Sequence, residues 1–163
     1  MTKSCSVVFS VLLLASLVVA QEKTSSSWNC GKPSDAHSID VGDKAGHTYA
    51  VTKTSCTGTA GEIAGVKEKD GIGTQFSEAT ASSMTWHGVF VATGENGDKV
   101  YYHYSNSGKA KLKDGQFESG SNKWTIAGGT GKFAKLKGEG TCEGKGTADG
   151  GATWDCTGTY TEK

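Results

Sequence analysis

The sequence predicts an all-β domain, an eight-stranded antiparallel β-barrel, on three observations. Glycine accounts for 24 of the 163 residues and interrupts the chain every few positions. Short runs rich in valine, threonine and aromatic residues fill the gaps, as strands between tight turns do. No stretch carries apolar residues at the three-to-four spacing of an amphipathic helix for long enough to form one. A barrel is favoured over two open sheets because it closes its own edges.

The first residues predict a signal peptide over 1–20. Lys3 supplies the positive charge, an apolar run follows, and small or β-branched residues precede Gln21. Residues 21–27 are polar and serine-rich, which predicts a disordered leader. Residues 28–163 are then expected to form a single β-barrel domain, since this length suffices for one compact core. We therefore expect a secreted or periplasmic protein without membrane attachment after cleavage.

Four cysteines follow the predicted signal peptide, and an even number in an exported chain indicates disulfides. Of the three pairings that four cysteines allow, we predict Cys30–Cys56 and Cys142–Cys156. The second pair flanks a turn-rich stretch around Asp149, so its cysteines would face each other across a hairpin. A zinc site is not expected, because the C-x-x-C and paired-histidine spacings are missing, and no other metal or cofactor is indicated.

The charge balance argues against nucleic acid as a partner. Seventeen basic residues meet seventeen acidic ones, and every basic residue is a lysine. Phosphate recognition needs a net basic surface and favours the planar fork of arginine, which this chain lacks.

Nine runs have the composition of strands. The clearest hairpin joins 83–93 to 99–105 through a loop that contains Asn-Gly, the pair that most readily supplies the positive φ angles of a tight turn. Two of the runs, 113–117 and 124–127, are interpreted as halves of one bent strand, which leaves eight strands. The predicted runs are 47–55, 62–68, 73–79, 83–93, 99–105, 113–117, 124–127, 135–142 and 152–161.

The histidines of this hairpin are candidates for a ligand site. A three-residue loop puts His87 and His103 on the same face, whereas a two- or four-residue loop separates them. If they face inward beside Tyr101 and Glu78, they can polarise a ligand or move a proton, and otherwise they lie on the outside. No catalytic residue is assigned. The candidate ligand-binding residues are Trp86, His87, Phe90, Tyr101 and His103.

Six aromatic residues are candidates for the interior. As the lining of a cavity they would favour an aromatic or acyl ligand, whereas as a packed core they need no ligand. Packing is the simpler interpretation, and the sequence leaves both open. These residues are Trp86, Phe90, Tyr102, Tyr104, Trp124 and Trp154.

The most distinctive segment is 124–140, in which a strand ends in Gly-Gly-Thr-Gly-Lys-Phe and a second strand begins. The segment resembles the GGTGxF turn of the allene oxide cyclase and dirigent-like barrel superfamily. The resemblance implies an eight-stranded antiparallel barrel with a central cavity, similar to calycins in architecture. Plant members of that superfamily cyclise an unstable fatty-acid epoxide or steer the coupling of phenolic radicals. The arginine on which dirigent sites partly rely has no counterpart in this chain.

The same segment does not fit a nucleotide-binding loop. In a Walker motif, Ile126 would have to be glycine, Phe133 would have to be serine or threonine, and a helix would have to follow. We expect instead that the glycines let the chain turn sharply while Phe133 packs back on the core.

Two hypotheses of function follow. In the first, a secreted barrel binds a small hydrophobic or aromatic molecule without catalysis. In the second, the barrel is an isomerase or a coupling-guiding protein of the allene oxide cyclase or dirigent type. The second requires two or more polar side chains that converge on an apolar cavity.

Overall fold

The structure is a computed structural model that describes residues 20–162, without the side chains of 105–107. The predicted signal peptide lies outside these residues, apart from Ala20. Within the described range the chain forms nine strands and one short 3₁₀ turn. None of its helical segments is long and apolar enough to cross a membrane. The elements are β1 (Glu22–Cys30), β2 (Ser34–Asp40), β3 (Thr48–Ile63), β4 (Val66–Ala79), β5 (Ser83–Gly94), β6 (Lys99–Lys113), β7 (Gln116–Gly129), the 3₁₀ turn (Gly131–Phe133), β8 (Leu136–Gly146) and β9 (Ala152–Glu162).

Eight of the strands close into an antiparallel barrel, as the sequence predicts. The sheet runs in the order β1-β9-β8-β7-β6-β5-β4-β3, and β1 pairs with β3 to complete the ring. Strand β1 pairs with the second half of β3. Strand β2 pairs with the first half and adds a ninth strand outside the ring. The all-β fold class and the eight-stranded barrel are therefore confirmed.

The seam of the barrel contains the stretch expected to be a disordered leader. Residues from Glu22 onward belong to β1, which pairs with β9 from Glu22 to Cys30 and with β3 from Ser25 to Cys30. The serine-rich composition carries little strand propensity, but the backbone gains hydrogen bonds from both neighbours. Tertiary pairing decides the conformation here.

Two predicted strand runs contain turns instead. The run 113–117 is not half of a bent strand, because Lys113 ends β6, Gln116 begins β7 and the two residues pair directly. Asp114 and Gly115 between them have φ angles of 51° and 74°, the positive values of a two-residue hairpin turn.

The run 62–68 divides in the same way. Ile63 pairs with Val66 across Ala64 and Gly65, whose φ angles are 50° and 67°. Strand β3 therefore ends, and β4 begins, within a segment expected to be one strand. Strand β2 is absent from the predicted runs, and all seven of its residues are exposed.

Both predicted disulfides are present. Cys30 pairs with Cys56 across β1 and β3, and Cys142 pairs with Cys156 across β8 and β9. In each pair the cysteines lie directly opposite each other, with Cα atoms 4.0 Å apart. The first bridge joins β1 to β3, the two strands whose pairing closes the ring. It also restricts the conformations that the unfolded chain can adopt.

One end of the barrel is plugged by the Gly-Gly-Thr-Gly-Lys-Phe turn. Gly131 has a φ of +49°, and a Cβ there would overlap the carboxylate of Asp98, which accepts a hydrogen bond from the Lys132 amide at 2.9 Å. The turn drives Phe133 into the interior, where it is fully buried. The expectation that Phe133 packs back on the core is confirmed. Fully buried aliphatic partners surround this end of the barrel, namely Ile63, Val100 and Leu136.

Candidate functional site

A cavity of about 460 Å³ occupies the barrel above this plug. Its rim includes Lys32, Pro33 and Gly150, which lie at the end of the barrel opposite to Phe133. The volume lies in the range of sites that enclose a small organic molecule.

The cavity exists because one wall has small side chains. The inward positions of β3 and β4 hold Thr52, Thr54, Gly73 and Ser77, which leave space that larger residues would fill. The opposite walls carry large aromatic rings. Small residues facing large ones across an eight-stranded ring leave a space that opens at the rim, rather than a packed core.

All six aromatic residues expected in the interior line this cavity, and Trp28 and Phe117 join them. The rings also pack on one another edge to face: the centroids of Trp28 and Phe90 are 4.8 Å apart, and those of Tyr102 and Trp124 are 5.2 Å apart. Edge-to-face pairs hold aromatic rings in defined orientations. The rings are therefore both a packed layer and the lining of a cavity.

Trp124 lies flat against the barrel wall because two glycines face it. Gly140 and Gly158 pair directly across β8 and β9, and a Cβ at either position would come within 2.4 Å of the Trp124 ring. The glycines thus allow a close approach that no other residue permits.

The predicted ligand-binding residues are divided between the two faces of the barrel. Trp86 and Phe90 line the cavity, whereas His87, Tyr101 and His103 are not among its lining residues. The register explains the division. His103 pairs with Val89, and His87 lies two residues before Val89 on the same outer face, where both histidines are exposed.

These outer residues do not assemble a polar site inside the barrel. The His87 ring stacks on the exposed Phe76 ring at 5.6 Å. Tyr101 pairs with Val91 and is only half-buried, and the cavity is lined instead by the next residue, Tyr102. Glu78 contacts His47.

The polar group that sequence reasoning missed is Glu68, which lies behind the cavity wall and is hydrogen-bonded to the lining residue Tyr102. Only 5% of this residue is exposed, and the Tyr102 hydroxyl donates a hydrogen bond to its Oε1 at 2.7 Å. Burial raises the pKa of the Glu68 carboxyl to about 7, although hydrogen bonds from Tyr102 and Ser26 act in the opposite direction. Burial also raises the pKa of Tyr102 well above its usual value. A signal was present in the sequence, because Glu68 follows Val66 at the inward spacing of a strand.

Three residues of the lining carry buried polar atoms without a hydrogen-bond partner among the described residues. These atoms are Thr52 Oγ1, Asn122 Oδ1 and Trp124 Nε1. An unpaired buried polar group costs about 1–3 kcal/mol, so a ligand that pairs with these atoms recovers part of that free energy.

A separate polar cluster fastens the chain before β3 to strand β4. His47 is buried, its Nδ1 lies 2.5 Å from Asp43 Oδ1, and its Nε2 lies 2.9 Å from Glu78 Oε1. The hydrogen bond with Asp43, followed by that with Glu78, raises the pKa of His47, whereas desolvation opposes the rise. The protonated ring can donate to both carboxylates at once.

We expect this cluster to make stability fall with pH. Because the folded-state pKa of His47 lies above its ordinary value of 6.5, its contribution is complete below that value and is lost as the pH rises through the raised pKa. As the pH rises from 5 to 9, the melting temperature of the His47→Gln variant should therefore fall by less than that of the wild type. The exposed His37→Gln variant is the control. A proton NMR titration that places the pKa of His47 below 6.5 would contradict this assignment.

The closed eight-stranded antiparallel ring is a dirigent-like barrel by its likeness to solved structures. Two solved pterocarpan synthase dirigent proteins share it. GePTS1 has a TM-score of 0.50 and 11% sequence identity over 91% of this chain and 88% of its own. PsPTS1 has a TM-score of 0.50 and 12% identity over 88% of this chain and 96% of its own.

These likenesses establish the fold alone, because the sequence identities are low. They support the dirigent side of the resemblance seen in the sequence and do not single out allene oxide cyclase. No model of a protein family matches the chain, and no curated protein matches it.

Proposed function

We propose that this protein is an exported barrel that binds a small aromatic or apolar molecule inside its cavity. The observation that carries the proposal is the cavity of about 460 Å³, which is lined by aromatic rings and by polar atoms without partners. A ligand with an aromatic body gains contact with the rings, and its polar groups can pair with those atoms. Export is supported by the two disulfides, which persist in oxidising compartments, and by the predicted signal peptide.

A variant that fills the cavity tests this proposal. Gly73 lines the cavity, and a Cβ there would lie 3.4 Å from the Tyr104 hydroxyl, so the side chain of Gly73→Leu should enter the empty space. We expect this variant to bind the neutral fluorescent probe N-phenyl-1-naphthylamine at least tenfold more weakly than the wild type.

The matched control is Thr74→Leu, because Thr74 is the next residue and faces outward. This variant should bind the probe as the wild type does. Circular dichroism verifies that both variants are folded. Equal binding by the folded Gly73→Leu variant would place the probe outside the cavity and would contradict the proposal.

A second candidate function, guidance of a coupling reaction or an isomerisation, is favoured by the hydrogen bond between Tyr102, which lines the cavity, and Glu68 behind it. Tyr102 and Glu68 lie beside an aromatic enclosure, and a carboxyl whose pKa is about 7 can accept or donate a proton near neutral pH. The two structural neighbours are named pterocarpan synthases. If this candidate is right, the protein should give an excess of one stereoisomer when a phenol is oxidised chemically in its presence. A racemic product would count against coupling guidance.

A further inference from the structure

The interior of the barrel holds a carboxyl group without a compensating cation. Of the described residues that are buried, Glu68 is the one carboxylic acid. The groups that hydrogen-bond its carboxyl, Tyr102 on β6 and Ser26 on β1, carry no positive charge, and no lysine or histidine of the described residues contributes to its pKa shift. Above its pKa of about 7, Glu68 therefore places an unneutralised negative charge behind the cavity wall, one hydrogen bond away from the lining residues Tyr102 and Ser26.

The aromatic rings of the lining favour a cation as well. Trp28, Phe90, Tyr102 and Trp124 surround the floor, and the face of an aromatic ring attracts cations through its quadrupole. Lys32, at the rim, is the one charged side chain among the residues that line the cavity.

The unpartnered atoms point to the same ligand chemistry. Thr52 Oγ1 and Asn122 Oδ1 can both accept hydrogen bonds, as a ligand N–H group requires, whereas Trp124 Nε1 donates and suits an acceptor elsewhere on the ligand. Two of the three atoms can thus accept a hydrogen bond from the ligand, and the Thr52 hydroxyl can also donate one.

We propose that the cavity selects organic cations, in which an ammonium group attached to an aromatic or apolar body lies against Tyr102, the lining residue whose hydroxyl is hydrogen-bonded to Glu68. This inference rests on the proposed function, because it names the class of ligand that the same cavity takes. An aromatic cage with a nearby carboxylate recognises ammonium ligands through cation–π and charge–charge attraction. An anionic ligand of the same shape would meet the negative charge of Glu68.

A pair of ligands of equal shape tests the charge preference separately from binding itself. Phenyltrimethylammonium and tert-butylbenzene differ by a positively charged nitrogen in place of a carbon. At pH 8 we expect the cation to bind at least tenfold more tightly than the neutral isostere. The preference should fall to about twofold or less at pH 5, where Glu68 is protonated.

The cation should also release protons when it binds at pH 7, because it favours the ionised form of Glu68. Calorimetry in two buffers of different ionisation enthalpy measures this release, and tert-butylbenzene should show none. The Glu68→Gln variant should lose both the preference and the proton release, whereas Glu139→Gln, which changes an exposed carboxylate, should retain them.

The possible outcomes separate the two proposals. If tert-butylbenzene binds as tightly as the cation at pH 8, the cavity takes apolar ligands but the charge selection is wrong. If neither compound binds and N-phenyl-1-naphthylamine does not bind, the proposed function fails as well. A preference that is unchanged at pH 5 would also overturn the role of Glu68, and this measurement on the wild type does not depend on the folding of a variant.

Discussion

The Glu68→Gln variant should be about 3 kcal/mol more stable than the wild type at pH 8 and nearly equal to it at pH 4. The folded-state pKa of Glu68 is about 7, whereas its ordinary value is 4.5, so folding favours the protonated form. The stability of the wild type therefore decreases as the pH rises from about 4.5 through 7, because the buried carboxyl must ionise. Glutamine removes the ionisation and keeps an oxygen that accepts the hydrogen bond of Tyr102.

Urea unfolding at pH 4, 6 and 8 measures this difference. The exposed Glu139→Gln variant is the control and should follow the wild type at every pH. His47 also makes stability fall with pH, but it is unchanged in both variants and cancels in the comparison. Parallel profiles for the wild type and Glu68→Gln would mean that Glu68 is not buried as the fold requires.

Removal of the Phe133 ring, which plugs one end of the barrel, should also change the unfolding free energy strongly. The Phe133→Ala variant should lose about 3–5 kcal/mol of unfolding free energy, because a fully buried aromatic ring is removed and its surroundings can collapse only partly. The backbone limits that collapse, since the Phe133 Cβ is held against Gly129 and its ring against Gly94.

The Phe76→Ala variant is a matched control for this substitution. Phe76 is 55% exposed on the outer face of β4, so the same loss of a ring should cost much less there. Guanidinium unfolding of the two variants gives the comparison. Equal losses for Phe133→Ala and Phe76→Ala would show that the turn does not drive its aromatic residue into the core.

The features of the fold that depend on local sequence could be predicted. The Asn-Gly loop between β5 and β6, the turn between Cys142 and Cys156, and the burial of Phe133 follow from glycines, which adopt the positive φ angles of tight turns that other residues avoid. The six interior aromatic residues were also recognisable, because large apolar rings alternate with polar residues along their strands.

Features that depend on pairing between distant strands were harder to predict. Strand β1 is polar, and its conformation follows from its two neighbours, which the sequence does not identify. The outward direction of His87 and His103 depends on the register of one hairpin. The Asp114-Gly115 turn is different, because its two residues are a recognised hairpin signal that was interpreted as the interior of a strand.

Prediction of the candidate site requires both the local sequence and the pairing between distant strands. Whether the aromatic residues enclose a space or fill it depends on the volumes facing them across the barrel, and those volumes come from Thr52, Gly73 and Ser77 on other strands. The importance of Glu68 likewise appears only when Tyr102 and Ser26 are brought against it from β6 and β1. Alternation places the glutamate inside, but it does not reveal the partners that surround it.

X-ray diffraction at the bromine absorption edge, from crystals of this protein soaked with bromobenzene, tests our proposal that the space inside the barrel admits a small aromatic molecule. We predict an anomalous bromine peak inside the ring of strands, among Trp28, Phe90 and Trp124. An interior filled by side chains, with bromine found only on the outer surface, would contradict the account.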